Sequence, residues 1–153
     1  MGLDMYLHAK KYVGGWSHMG NTTEFDTIRA LYPDVPVSQD SPVAHVQFNV
    51  GYWRKANAIH NWFVQNVQDG EDECKPHYVE RVQLEKLRDD CKLEMLVPVG
   101  ESGAGVVEPT SGFFFGNDER DEWYYRSLED TIKIIDECLK LDSDWSFEYQ
   151  SSW

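Results

Sequence analysis

The richest chemistry in this chain is concentrated in Gly51-Tyr52-Trp53-Arg54-Lys55-Ala56-Asn57-Ala58-Ile59-His60-Asn61-Trp62-Phe63. Two cations, two amides, an imidazole and several large aromatics follow one another in that stretch. Nucleotide ligands call for this mixture: Arg or Lys for phosphate, amides for base edges, aromatic faces for stacking. The periodicity predicts an amphipathic helix over about 53–67, with Arg54 and Lys55 in its opening turn. That is the electrostatically wrong end, because the N–H groups of a helix start already carry about half a positive charge. A phosphate seated over the helix start accounts for the pair. An ion pair with the acidic second half of the chain accounts for it as well.

On a helical wheel Ile59, Phe63, Ala56, Val67 and Val64 form the apolar arc. His60 falls inside that arc and Asn57 at its edge, beside Trp53. Buried polar groups need partners, so these two satisfy each other and the backbone, or they meet a ligand. Arg54, Asn61 and Gln65 share a neighbouring face, within reach of the same anion. Trp62 and Lys55 lie farther round, toward solvent or a second subunit. Successive residues of a strand point to opposite faces, so Phe113, Phe114 and Phe115 cannot all enter one core. The candidate ligand-binding residues are therefore Trp53, Arg54, Lys55, Asn57, His60, Asn61 and Phe114.

Catalytic signatures do not accompany them. The chain has no P-loop, HExxH, GxSxG or paired-histidine motif. Its five histidines are scattered, and Asp4 could pair with His8 or His60 only through the fold. Cys74, Cys91 and Cys138 are widely spaced with no CxxC, which indicates neither a disulfide framework nor a zinc site. No catalytic residue, metal or cofactor is expected.

The elements that must position the candidates read as one α+β domain over 1–153, with about four helices and a small, mostly antiparallel sheet. Residues 2–13 alternate as a strand, with Leu3, Met5, Leu7 and Ala9 on one face and Tyr6 and His8 on the other. Asn21 or Thr22 caps a short helix holding Phe25, Ile28 and Leu31, stopped by Pro33. A second strand sets Val46, Phe48, Val50 and Tyr52 against His45, Gln47 and Asn49, and runs through Gly51 into the helix that Gly70 ends. A brief strand at 77–79 precedes a helix from Glu80 to about Met95, with Leu84, Leu87, Cys91 and Met95 on one side. Residues 97–110 read as loop. The helix at about 121–141 is striped by Tyr124, Leu128, Thr131, Ile135 and Cys138. Trp145, Phe147 and Tyr149 mark a last strand.

The net charge of −13 is uneven. Residues 1–68 hold five basic and five acidic side chains, residues 69–153 nine and 22. Such a balance argues against direct nucleic-acid binding, which phosphate neutralisation dominates. An acidic half can mimic nucleic acid toward a protein, or simply maintain solubility. No apolar run approaches the roughly 18 residues that span a bilayer. Met1-Gly2-Leu3-Asp4 lacks signal-peptide character, and Tyr6 stands where myristoylation wants Ser or Thr. A cytoplasmic, membrane-free protein is expected.

The opening Met1-Gly2-Leu3-Asp4-Met5-Tyr6-Leu7, the Tyr52-to-Val64 block, Ser111-Gly112-Phe113-Phe114-Phe115-Gly116 and Leu128-Glu129-Asp130-Thr131 resemble a family of small phage and prophage proteins. The resemblance implies a viral protein in the host cytoplasm and assigns no catalytic residue. In that setting the candidate set implies an anti-defence sponge: a homo-oligomer that holds a nucleotide immune signal without cleaving it. The alternatives are an acidic mimic that binds a host defence nuclease, and a nucleotide-cleaving enzyme.

Overall fold

Strict alternation makes β1 (Asp4–Gly14) the central strand, because a period of two sends every second side chain to one face. In the computed structural model, which describes residues 2–14, 22–38, 44–98, 101–111 and 119–153, the remaining elements follow in order. They are α1 (Thr23–Leu31), β2 (Ala44–Arg54), α2 (Asn57–Val67), β3 (His77–Val79), α3 (Arg81–Met95), α4 (Glu122–Cys138) and β4 (Trp145–Ser152). The four strands form one sheet in the order β2-β1-β4-β3, and all three pairings are antiparallel. This is the α+β domain expected from the pattern.

Met5, Leu7 and Ala9 of β1, Trp53 of β2 and Phe147 and Tyr149 of β4 leave the sheet on one side. They pack against Ile59 and Phe63 of α2, Leu84, Leu87 and Cys91 of α3, and Leu128 and Ile135 of α4. The stripe predicted for α4 is buried at all five positions. Tyr6, His8 and Tyr52 lie on the opposite face, where the Tyr6 ring meets Tyr52 at 5.5 Å. Thr22 caps α1 by accepting the N–H of Phe25.

Three expectations need correction. Helix α2 opens at Asn57, with Ala56 as its N-cap, and not at 53. Ladder pairing prevails up to Asp4↔Arg54, and the Lys55 N–H donates to the Leu3 carbonyl at 2.8 Å. Lys55 then turns the chain with φ 57°, so Arg54 and Lys55 precede the helix. Trp62 faces neither solvent nor a subunit: it is buried, and its Nε1–H donates to Asp90 Oδ2 at 2.8 Å. In α3 it is Glu94, not Met95, that turns inward. In α1 only Phe25 is buried, and Leu31 is exposed.

The alternation read across β2 also breaks. Leu7 faces Gly51 while His8 faces Asn49, so Val50 is an extra residue in a β-bulge. The Asn49 amide, turned to donate, reaches the carbonyls of Leu7 (3.3 Å) and Gly51 (2.7 Å) and braces the bulge. The shift puts Gly51 and Trp53 on the buried face in place of Val50 and Tyr52. A Cβ on Gly51 would lie 2.8 Å from Ile134 Cγ2 and 3.1 Å from Leu7 Cβ, so glycine lets β2 come against α4. Gly51→Ala should therefore cost about 1–3 kcal/mol in urea denaturation, as overpacking of a filled core does. An unchanged midpoint would show that Ile134 yields freely.

Candidate functional site

The turn from β2 to α2 and the first turns of α4 enclose a cleft of about 340 Å³. Its lining includes Lys55, Asn57, Thr110, Glu119, Trp123 and Ser127. A smaller recess of about 160 Å³ adjoins it through the shared Ala56, Trp123 and Ser127, and adds Tyr52, Arg54 and Arg126. Together they reach the lower range of small-molecule sites.

Each wall has a local cause. The N-cap of α2 is Ala56, which offers no side-chain acceptor, and the first turn of α2 contains no acid. The positive end of that helix therefore opens beside Lys55 with no acid in its own first turn, and the acids that face it, Glu119 and Asp121, come from the opposite wall of the cleft. The N-cap of α4, by contrast, is Asp121, whose Oδ1 accepts the Tyr124 N–H at 2.8 Å. Trp123 lies off the buried stripe of α4 and is 54% exposed. Arg54 stands 3.9 Å from Asp4, and Arg126 3.6 Å from Glu122, both in loose surface pairs.

The loop that carries Pro109 and Thr110 is anchored from beneath. Glu94 is fully buried and accepts the N–H groups of Val106 (2.9 Å), Val107 (3.2 Å) and Ala104 (3.2 Å). Arg120 Nη1 donates at 2.5 Å to Oε2, the oxygen that also accepts the Ala104 N–H, and Tyr124 donates to the Val107 carbonyl at 2.7 Å. Burial alone would raise the Glu94 pKa. The donated hydrogen bonds outweigh it and hold the carboxyl below its ordinary 4.5.

The predicted residues divide among three places. Lys55 and Asn57 line the cleft, and Arg54 lines the recess. Trp53 also borders the recess, but it is a core residue whose Nε1–H donates to Thr131 Oγ1 at 2.9 Å. His60 is buried elsewhere: its Nδ1 lies 2.7 Å from the Tyr149 hydroxyl, and its Nε2 3.1 Å from Asp72. That carboxylate sits off the line of the ring N–H, which leaves Nε2 without a hydrogen bond. Asn61 borders neither the cleft nor the recess. Phe114 lies outside the described residues. Asp4 is engaged by Tyr52 and Arg54, not by His8 or His60.

Sequence reading missed Trp123, Arg126 and Glu94. The first two were legible as the positions that the stripe of α4 leaves outside. Glu94 gave no signal, since an inward carboxylate breaks the apolar pattern. Among the described residues no three metal-binding side chains converge, and no helix is long and apolar enough to cross a membrane. Cys91 and Cys138 are buried, with thiols pushed by burial up to about 12 and about 11. No family model, curated protein or solved structure matches the chain.

A depressed carboxyl stabilises the fold above its unfolded pKa, and that contribution is lost as the pH falls through the lower folded value. Glu94→Gln should therefore cost about 1–3 kcal/mol at neutral pH, the scale of a broken buried network. The gap to the wild type should narrow below pH 4.5. Urea titrations at several pH values would show this, and a gap independent of pH would contradict the assignment.

Proposed function

We propose that this protein binds and sequesters a phosphate-bearing nucleotide in the cleft between α2 and α4, without turning it over. One observation supports the reading: three kinds of recognition group converge on a single cavity. Lys55 and the N-terminal N–H groups of α2 suit a phosphate. Glu119 and Asp121 are acceptors of the kind that hold ribose hydroxyls. The exposed indole of Trp123 offers a face to a base. Arg54 and Arg126, in the adjoining recess, would reach a second phosphate. The resemblance to phage and prophage proteins makes the ligand a host immune signal, such as a cyclic oligonucleotide or an ADP-ribose derivative, held by a homo-oligomer in the host cytoplasm.

The competing reading, an acidic inhibitor of a host nuclease, draws on the five acids and two bases of α4. Helix α3 balances four acids with four bases, so the acidity forms no continuous helical surface. The nucleotide reading uses the cleft itself and is preferred on that ground.

Native mass spectrometry with ADP-ribose and a set of cyclic dinucleotides, followed by denaturation, tests it. Intact ligand released in stoichiometric amount is the expected result. Lys55→Ala should weaken binding about tenfold or more, the scale of a lost charged hydrogen bond. Trp123→Ala should cost about 1–3 kcal/mol, as loss of a stacking platform does, while Asn61→Ala should change little. Because the chain carries −13, added salt screens its repulsion of an anion, so affinity should hold or rise with ionic strength. Retention unaffected by both Lys55→Ala and Trp123→Ala would sink the proposal, and release of an altered nucleotide would replace it with an enzyme.

A further inference from the structure

The two edges of the sheet are built differently. Strand β3 is three residues long and is flanked by Glu73, Lys75 and Glu80, a short and charged edge of the kind that resists pairing. Strand β2 is eleven residues long, roughly 36 Å at the usual rise. It has β1 on one side and, among the described residues, no strand on the other. From Ala44 to Trp53 it contains no Asp, Glu, Lys or Arg. Phe48 is 56% exposed, although it sits on the face that carries Ala9. Its ring meets Trp145 at 5.9 Å. Beside it runs a groove of about 360 Å³ lined mainly by Val13, Ile28, Val46 and Trp145, with the Lys11–Glu24 ion pair (3.3 Å) also on its wall.

We propose that the free edge of β2 pairs antiparallel with the same edge of a second copy of this chain. Charge selects that occupant. A chain carrying −13 repels its own copy wherever carboxylates meet, so self-association needs a surface without them. The β2 edge itself is such a surface, the one carboxylate lining the groove beside it, Glu24, is paired with Lys11, and a cationic partner would find better targets on the acidic second half. The bulge at Val50 twists the strand beyond Asn49, so the regular stretch at 45–49 supplies the pairing backbone. A two-fold axis perpendicular to the sheet near Phe48 keeps each face continuous across the join. It sets the two Phe48 rings side by side over adjoining apolar grooves, which buries the most exposed apolar side chain of the strand. The result is one eight-stranded antiparallel sheet. This interface stands apart from the nucleotide reading, because a mass measurement reports it whatever the cleft binds.

Sedimentation equilibrium of the full chain, with Phe48→Asp and Gln47→Lys as variants, decides the matter. The wild type should show twice the 17.8 kDa chain mass, and each variant the single mass, a two-fold drop. Hydrogen exchange at 45–49 should be slow in the wild type and faster in the variants, with other strands unchanged. Should Phe48→Asp lose its melting transition, the exposed Gln47→Lys carries the test alone. A wild type that is monomeric at every attainable concentration overturns the proposal and leaves the edge to a foreign strand. A doubled mass that survives both substitutions places the interface elsewhere and overturns it equally.

Discussion

The buried hydrogen bond from the Trp53 indole to Thr131 Oγ1 holds the sheet and α4 in one arrangement. Thr131 in turn donates to the Ser127 carbonyl, so one hydroxyl serves both the sheet and its own helix. An indole N–H stranded in a core would cost on the order of 1–3 kcal/mol, so this contact selects against other seatings of α4. Gly51 makes the seating possible by leaving room for Ile134. One turn above Thr131 stands Ser127, and another turn above it Trp123. The width of the cleft beside Lys55 is therefore set by a contact deeper in the core, and the residues that line it need no rigid partners of their own.

His60 shows the opposite use of a polar group. It entered the candidate set as a ligand residue because an imidazole on an apolar face demands a partner. The partner is Tyr149, whose phenol is buried and held well above its usual pKa by desolvation, so it stays protonated. The hydroxyl then donates to Nδ1, while Nε2 lies 3.1 Å from Asp72 without a hydrogen bond to it. Tyr149 also stacks on Phe63 at 3.9 Å, nearly parallel. The imidazole thus ties α2 to β4, and the Trp153 indole ties the acidic loop after α2 by donating to Asp72 Oδ1 at 3.2 Å. Its environment is structural, and the cleft lies on other residues.

What could be read from sequence follows from which interactions are local. The stripe of α4, the alternation of β1 and the cap at Thr22 depend on periodicity and on one side chain meeting a nearby backbone, so they were legible. The start of α2 was not. From Trp53 to Ala56 the helical pattern and the strand pattern both fit, and the choice was made by Leu3 and Asp4, some fifty residues away in sequence, through ladder pairing. The bulge at Val50 is equally non-local, since its trace in the chain is only Asn49 two residues before Gly51. Exchanging Trp53 for Trp123 as the exposed aromatic of the site follows from that one boundary. A tryptophan in a helical first turn can project outward, whereas the same residue paired with Met5 in a ladder faces the core.

The charge asymmetry gains a meaning from the fold that composition could not give it. Much of the acid in the second half has local work. Asp72 faces His60, Glu73 pairs with Lys75, Glu94 holds a loop, and Asp121 caps α4. Glu73 and Glu94 are paired with cations at close range, and the field of the others falls off within about a Debye length at physiological salt. What remains is a general negative bias with two departures from it, the cationic corner at Lys55 and the uncharged edge of β2. Under the nucleotide proposal, an anion entering the cleft would gain from short-range contacts and meet mild repulsion on approach. Selectivity then rests on shape and on paired donors and acceptors, because bulk attraction would capture any polyphosphate in the cell. Under the nucleotide proposal, a basic chain of the same shape would add bulk attraction for every polyphosphate, and the acidic second half of this one would withhold it.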